Sequence, residues 1–433
     1  MATNLRSPTT RAALVDAYSA GNLLVPALNR EGVECVHVRS PEPDVNMVKL
    51  KFPDGFVDDI RHEGDLAATA AALREWGIGC VIAGGESGVE LADQLNAELG
   101  TPGNGMSRPT CRRNKYEMVL AVRDAGLPHA ATVVSPDADE IIEWAETTAG
   151  YPVVLKPVSS AGQDNVMACA SAEEVRAAHD KIRSSTNRQG QSNTVVLAQE
   201  FLAGTEYFVN TVSRDGQHHT AEIWRYCKRR IPGGHIIHDY VEPLSPDDPD
   251  AQEVEFYSHR ILDALEIHNG AAHAEIMMTA DGPVLVECAG RLGGGAAPQI
   301  LSRSMAANQI DLIALSVARP DEFHQLPTSL HRLLRHTLYV HLINPNDHGI
   351  APSHEDMGVI RALPSWAHTV LMHPEGARLT RTIDFPSQPG YVILISDDPV
   401  QLRADYEKLR EIERVLYTGY PVSEQPRPIR PDR

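Results

Sequence analysis

Apolar positions in the first hundred residues follow two alternating rhythms. Dense runs at 12–18, 33–38 and 79–83 predict buried strands, while a stretch ending at Arg30 and the segments 65–76 and 89–99 repeat with helical spacing. Strands separated by helices of about ten or more residues predict βαβ units on a parallel sheet. Ligands of such sheets sit beyond the carboxyl ends of the strands, which marks residues 19–22 and 84–87 as a candidate crevice. The turn-rich segment TPGNGMSRP, 101–109, closes this region. Beyond it the spacing predicts helices over 114–125 and 171–182, and strands over 153–156 and 194–199, with a polar loop at 183–193. Ser171 with Glu174 three residues on reads as a capping box. From 206 to about 295 the pattern is strand-rich, and a helix over 309–318 ends at Arg319-Pro320. Short strands at 337–342 and 391–396 and a charged helix at 399–413 predict a separate C-terminal α+β lobe, followed by a proline-rich tail read as disordered.

Composition narrows the function classes. A chain of 433 residues is long enough for two to four domains. Its net charge of −19 argues against a nucleic-acid binder, which needs a basic face for phosphates, and against a polybasic membrane-surface protein. No apolar run approaches the roughly 20 residues that span a bilayer, and the first residues lack a signal peptide's basic-then-apolar order, so a cytoplasmic protein is expected. Six scattered cysteines include no CxxC pair and read as reduced thiols. Neither GxGxxG nor GxxxxGK[ST] occurs, so the dinucleotide and Walker-type phosphate cradles are absent. The chain carries 7 lysines against 32 arginines, which makes each retained lysine informative. Lys115, Lys156 and Lys228 are three of them.

The segment HAEIMMTADGPVLVECAGRLGGG, 273–295, carries the strongest chemical signal. Two apolar runs flank Ala280-Asp281-Gly282, which fits a three-residue hairpin loop with glycine in the left-handed position. That register pairs Thr279 with Pro283 and sets Glu275 opposite Glu287. Alternation then puts Ala274, Ile276, Met278, Val284, Val286 and Cys288 on a core face, with His273, Glu275, Glu287 and Arg291 on the other. Like charges directly across a sheet are destabilising. A hard divalent cation bridging both carboxylates offsets the repulsion; the alternative is one glutamate turned to solvent or paired with Arg291.

Two further segments bear on that choice. YPVVLKPV, 151–158, ends a buried strand on Lys156, and Ser159, Ser160 and Gly162 follow in a loop whose small residues let backbone N–H groups close on an anion. QEFLAGTEYFVN, 199–210, offers backbone to an adenine edge and a carboxylate to ribose hydroxyls; alone it also reads as an ordinary strand–turn–strand.

Together these segments resemble the ATP-grasp superfamily of carboxylate–amine ligases, most closely the branch that joins free L-amino acids. GNLLVPALNREG and IAGGESGVELADQLNAELGTPGN resemble that branch's N-terminal domain. The resemblance implies an α/β ATP-grasp fold divided into a parallel-sheet pre-ATP-grasp domain (1–108), a lid subdomain (109–200), a large catalytic subdomain (201–330), a C-terminal α+β lobe (331–420) and a tail (421–433). It implies ATP as cosubstrate and Mg2+, in one or two ions, with Mn2+ as a substitute. Lys115 and Lys156 match the lysines that hold the α- and β-phosphates, and Ser159, Ser160 and Gly162 the loop over the triphosphate. Glu200, Phe201 and Leu202 match the adenine hinge, Glu206 the ribose-binding acid, and Lys228 a more loosely placed nucleotide contact. Glu275 and Glu287 match the magnesium ligands, and Arg291 the arginine that stabilises the acyl phosphate and tetrahedral intermediate. The family's usual Glu-x-Asn is broken by Ala289, which leaves the second ion to Glu287 and phosphate oxygens.

The implied reaction activates an amino-acid carboxylate as an acyl phosphate and passes it to the amine of a second amino acid, giving a dipeptide or a γ-glutamyl amide. A base for the amine is sought in His235, His238, Tyr240 or His273. Expected partners are two small amino-acid substrates and a second copy in a homodimer, with no nucleic acid and no membrane. Arginine-heavy usage suggests a high-GC genome and specialised metabolism. The rivals are a biotin-carboxylase-like enzyme, a D-alanine-ligase-like enzyme and a non-catalytic nucleotide-binding module.

Overall fold

The structure, a computed structural model, describes residues 10–41, 55–160, 164–187, 190–231, 236–294 and 298–418. The chain divides into two compact units: Met1–Ile223, Pro246–Pro298 and Ala307–Arg332 form the first, and Trp224–Ser245, Gln299–Ala306 and Leu333–Arg433 the second. No helix among the described residues is long and apolar enough to cross a membrane.

The first unit opens with β1 (Arg11–Val15), α1 (Leu24–Arg30), β2 (Glu34–Arg39), β3 (Phe56–Arg61), α2 (Leu66–Glu75), β4 (Cys80–Ala83) and α3 (Val89–Leu99). The strands lie in the order β3-β2-β1-β4, all parallel, as the alternating pattern predicts. Consecutive residues Ala12, Ala13, Leu14 and Val15 are all fully buried, because helices cover both faces of such a sheet. Leu14 packs with α1 residues on one side, and Val15 with Leu73 of α2 and Leu95 of α3 on the other. The polar edge strand β3 escaped prediction because FVDDIR contains no apolar run.

At the carboxyl end of this sheet the expected crevice loops meet. A Cβ on Gly21 would sit 2.1 Å from the Gly84 carbonyl oxygen, and one on Gly84 would sit 2.5 Å from the Cα of Ala17. Only residues without side chains allow those backbones to cross.

Next come α4 (Lys115–Asp124), β5 (Thr132–Ser135), α5 (Ala138–Trp144), β6 (Val153–Lys156), β7 (Met167–Cys169), α6 (Ala172–Arg183) and β8 (Val196–Glu200). Strands β5-β8-β6-β7 make an antiparallel sheet whose apolar face packs on α5 and α6 through Val153, Leu155, Ile141, Val175 and Ile182. Ser171 caps α6 by accepting the Glu174 N–H at 3.3 Å. Glu174 returns its bond to the Ala170 N–H, one residue earlier than in the expected box.

The chain continues through β9 (Thr205–Arg214), β10 (Gln217–Arg230), β11 (Ile236–Pro243), α7 (Pro249–Ala264), β12 (Gly270–Thr279), β13 (Gly282–Ala289), α8 (Pro298–Leu301), α9 (Gln309–Ala318) and α10 (Pro320–His324). In the first unit the strand order is β13-β12-β9-β10. Helix α7 corrects the strand-rich reading of 206–295. Ala251, Val254, Tyr257, Ile261 and Leu262 form its buried stripe, capped by Asp248 with Pro249 in the first turn.

The hairpin β12–β13 also corrects the expected loop. Thr279 pairs with Gly282 and Met278 with Pro283, so two residues, Ala280 and Asp281, form the turn. A bulge at Val286 takes up the difference, and Glu275 then faces Glu287 as expected. Its consequence is local. On β13 the buried residues are Pro283, Leu285, Cys288 and Ala289, whereas Val284 and Val286, expected in the core, are half-buried.

The second unit holds β14 (His336–His341), β15 (His348–Ile350), α11 (Gly358–Arg361), β16 (Trp366–Leu371), β17 (Arg378–Thr380), β18 (Gly390–Ser396) and α12 (Pro399–Leu416). Its antiparallel order is β10-β11-β14-β18-β16, and Leu402, Tyr406 and Leu409 of α12 pack on Leu338, Val340, Val392 and Leu394. The predicted C-terminal strands and helix lie here, together with 224–245 and 299–306, which the expected limits assign to the catalytic subdomain.

Candidate active site

Asn114 sets the first anchor. Its Oδ1 accepts the N–H groups of Tyr116 and Glu117 at 3.0 and 3.2 Å, which starts α4 at Lys115. The Lys115 ammonium is buried, donating to the Ser160 carbonyl at 2.6 Å and to Glu287 Oε1 at 2.9 Å. One lysine thus ties the loop after β6 to the hairpin carboxylate.

Lys156 ends β6 and is buried, with its Nζ 3.0 Å from Gln199 Oε1 on the neighbouring β8. Burial, reinforced by Lys115, pushes its pKa down to about 8 against the opposing pull of Glu287, Glu275 and Glu206. Two lysines and three glutamates therefore lie within one electrostatic neighbourhood. Glu275 and Glu287 are directly opposed, with side chains 29% and 25% exposed.

The remaining predicted positions in the first unit fall around this centre. Ser159 is half-buried and its carbonyl accepts from Asn187 Nδ2 at 3.0 Å; the Ser160 hydroxyl donates to Asp164 at 2.7 Å. Glu200 exchanges bonds with Ala131, accepting its N–H at 2.7 Å through Oε1 and donating its own N–H at 2.9 Å, so this carboxylate fastens the hinge. Phe201 is exposed and Leu202 half-buried. Glu206 on β9 faces Met277, two residues along β12 from Glu275. Gly162 and His235 lie outside the described residues.

Lys228 and His238 belong to the second unit, where they pair with each other across β10 and β11. Lys228 is exposed, and the His238 ring stands 4.7 Å from Tyr226 and 5.4 Å from His341.

Arg291 was expected to share the glutamates' face. It lies beyond the end of β13, its Nε 2.8 Å from Glu86 Oε2 and its Nη1 2.6 Å from the Leu292 carbonyl. Glu86 sits on a short 3-10 turn directly after β4, inside the crevice segment 84–87. Burial works to raise its carboxyl, but Arg291, Arg113 and Lys115 hold it below the ordinary carboxylate range. Glu86 and Arg113 were missed: the crevice was legible, but which of its residues meets an arginine some 200 positions away was not.

A second missed feature backs Glu275. His273 Nε2 lies 3.5 Å from Glu275 Oε1, its Nδ1 2.8 Å from Asn210 Oδ1, and Asn210 Nδ2 reaches Glu222 at 3.4 Å. A Cβ on Gly293 would meet His273 Nδ1 at 3.0 Å and Asn210 Oδ1 at 3.1 Å, so the chain after Arg291 runs close over this relay. Strand alternation placed His273 beside Glu275, but nothing in it marked Asn210.

The site thus brings together paired hairpin glutamates, two buried lysines and, four residues past the second glutamate, an arginine held by Glu86. Residues 149–299 match the family model described as an ATP-grasp domain. Dapdiamide A synthase from Enterobacter agglomerans is 32% identical over 414 residues, covering 93% of this chain and 96% of its own. The chain belongs to the ATP-grasp family and is an ADP-forming carbon–nitrogen ligase that uses ATP to form amide or peptide bonds. The L-arginine-specific L-amino acid ligase from Bacillus subtilis is 24% identical over 214 residues, 48% of this chain and 50% of that protein. Among solved structures, the L-amino acid ligase from Bacillus licheniformis superposes with a TM-score of 0.71 at 18% identity, over 93% of this chain and 97% of that one.

Proposed function

We propose that this ligase activates the carboxylate of one amino acid and joins it to the amine of a second, giving a dipeptide or a γ-glutamyl amide. A carboxylate oxygen attacks the γ-phosphorus of ATP, the β–γ bridging P–O bond breaks, and ADP leaves. The amine nitrogen then attacks the acyl carbon, the C–O bond to phosphate breaks, and the nitrogen gives up a proton. Phosphoryl transfer of this kind needs positioning and charge neutralisation, with no protein nucleophile.

The observation that carries the reading is the convergence of Lys115, Lys156, Glu206, Glu275 and Glu287. In it Lys115 and Lys156 hold phosphates, the loop at Ser159, Ser160 and Gly162 covers them, and Glu200 to Leu202 with Glu206 hold the nucleoside. Lys228 remains the looser nucleotide contact, with His235 and His238 as candidates for the amino-acid pocket.

The carboxylate pair also fits a magnesium ion. Among the described residues no group of three or more His, Cys, Asp or Glu side chains could hold a metal. Two hard oxygen donors that leave the other positions to phosphate and water are what magnesium accepts. When bound, that ion supplies charge neutralisation at the transferred phosphoryl group. The domain limits at 108, 200, 330 and 420, a homodimer and two amino-acid substrates complete the reading.

Glu287→Gln tests it. The change keeps the shape and removes one charge that both Lys115 and the cation need, so ADP formation should fall by at least about 100-fold while circular dichroism stays unchanged. Retained turnover takes Glu287 out of the site. For the wild type, ADP release measured with amino acids singly and in pairs, and products read by mass spectrometry, should show turnover that depends on a pair. Bicarbonate dependence, or no turnover with any pair, overturns the ligase reading.

A further inference from the structure

Arg112 and Arg113 are adjacent in the sequence and opposite in their bonding. Arg112 is fully buried and bonded at all three nitrogens: Nε donates to Asp93 at 2.7 Å, Nη1 to the Leu265 carbonyl at 3.0 Å and Nη2 to the Gly105 carbonyl at 2.8 Å. That arginine is a structural rivet. Arg113 has a side chain only 13% exposed, and its Nε is buried with no hydrogen-bond partner. Its nearest acid, Glu86, stands 3.6 Å from that nitrogen, and Glu86 Oε2 is already engaged by Arg291 at 2.8 Å.

Two guanidinium groups thus flank one carboxylate: Arg291 is hydrogen-bonded to it, and the buried Nε of Arg113 is not. A buried donor left without an acceptor is destabilising, and more so where the group is charged. A folded enzyme tolerates such a cost where a ligand supplies the acceptor. A guanidinium is suited to a planar, two-oxygen anion, which it holds through two parallel N–H···O bonds.

The surroundings say which anion. Arg113 lies immediately before Asn114, whose capping bonds make the start of α4 rigid, and two residues from Lys115. Glu86 comes from the carboxyl end of β4, the rim where parallel sheets bind ligands. On the same rim, next to the Gly21–Gly84 crossing, Asn22 has a buried Oδ1 with no partner. Donor and acceptor are therefore both offered on this rim, beside the start of the helix that carries Lys115.

We propose that Arg113 binds the free carboxylate of the attacking amino acid, with Glu86 as the positioning residue that keeps Arg113 and Arg291 one carboxylate apart. The proposal rests on the amino-acid ligase reading above. Its chemical basis is that the activated carboxylate is consumed as the acyl phosphate, whereas the attacking amino acid keeps its own through both steps. Anchored on Arg113, that substrate points its amine towards Arg291, which the ligase reading sets beside the acyl carbon. No bond to Arg113 is made or broken covalently; the residue selects for an amino acid over a simple amine.

The test compares an amine-side amino acid, chosen from a screen of amino-acid pairs, with its own α-carboxamide. Wild type should prefer the acid, with a KM at least about 30-fold lower than that of the amide, the size expected for a charge-assisted pair. Arg113→Ala should remove most of this preference by raising the KM of the acid. Arg113→Lys, which keeps charge and loses the fork, should restore part of it. ATP KM should move much less than amino-acid KM in both variants.

Equal KM values for acid and amide in wild type overturn the proposal, and so does an Arg113→Ala defect that falls on ATP. The wild-type comparison stands even if Arg113→Ala fails to fold. Should no amino-acid pair release ADP from wild type, the ligase reading and this inference fall together; turnover without acid–amide discrimination removes the inference alone.

Discussion

At the level of single residues the two lysines divide the work by their environment. Lys115 meets a carbonyl and a carboxylate, whereas among the described residues Lys156 meets the neutral Gln199 oxygen and is buried beside another cation. Its pKa of about 8 predicts a pH dependence for nucleotide binding with a definite sign. Below that value the ammonium is present and attracts phosphate; as the pH rises through it, the charge and its contribution are lost. ADP affinity measured by calorimetry should therefore hold between pH 6 and 7 and fall by up to about tenfold per unit above 8, until the phosphates' own pull on the proton flattens the curve. Lys156→Ala should bind more weakly at pH 7 and lose that slope. A slope that survives the substitution assigns it to another group. The sequence disclosed both lysines because this chain spends arginine almost everywhere else. It disclosed the two glutamates because they fall on alternating positions of a hairpin. Glu86, Arg113, Asn210 and Gln199 stayed hidden, since their roles come from contacts between segments far apart in the chain and no local pattern encodes such a contact.

At the level of elements, the hairpin shows how a wrong detail can leave the site intact. A three-residue loop in regular register and a two-residue loop followed by a bulge both set Glu275 against Glu287; they differ only between Met278 and Val286. The sequence could not separate them, because Pro283, Val284, Leu285 and Val286 are all apolar and either face could have been the core. Helix α7 was legible and overlooked. Its stripe at 251, 254, 257 and 261 has helical spacing, but strand signals on either side outweighed it. The start of β9 is under a sharper constraint. A Cβ on Gly204 would stand 1.9 Å from the Met278 carbonyl oxygen and 2.8 Å from its carbon, a backbone obstacle that cannot swing aside. Gly204→Ala should push β9 from β12 just past the hinge, costing about 1–3 kcal/mol as overpacking does, and should lower both the unfolding midpoint and ADP affinity. Gly79→Ala, whose Cβ would make an ordinary contact 3.6 Å from Arg11, serves as the comparison and should shift the midpoint little. Equal effects from the two would show that the close approach at Gly204 is not what fixes the hinge.

On the scale of the whole molecule, the proposed nucleotide site and the buried cluster of the second unit are built from different charges. Every residue in the described convergence, from Lys115 to Arg291, belongs to the first unit. The second unit has a buried charge cluster of its own. Arg410 Nη2 reaches Asp239 Oδ1 at 2.5 Å, its Nη1 bonds Glu413, and the Tyr406 hydroxyl adds a bond to Asp239 at 2.8 Å. Burial raises the Glu413 carboxyl, and Arg410 and the Ile343 N–H oppose that rise. Removing one member of a buried ion pair leaves the partners uncompensated, at a cost of about 3–5 kcal/mol. Arg410→Ala should therefore destabilise the second unit by that order. ADP with magnesium should act on the first, raising its unfolding free energy by about 2.7 kcal/mol at one hundred times the dissociation constant. Scanning calorimetry of the full chain with both perturbations separates the two effects. The expected result is that ADP moves one transition and Arg410→Ala the other. A single transition that both shift equally would mean that the two units unfold as one cooperative block, and that nucleotide binding draws on the stability of the entire chain.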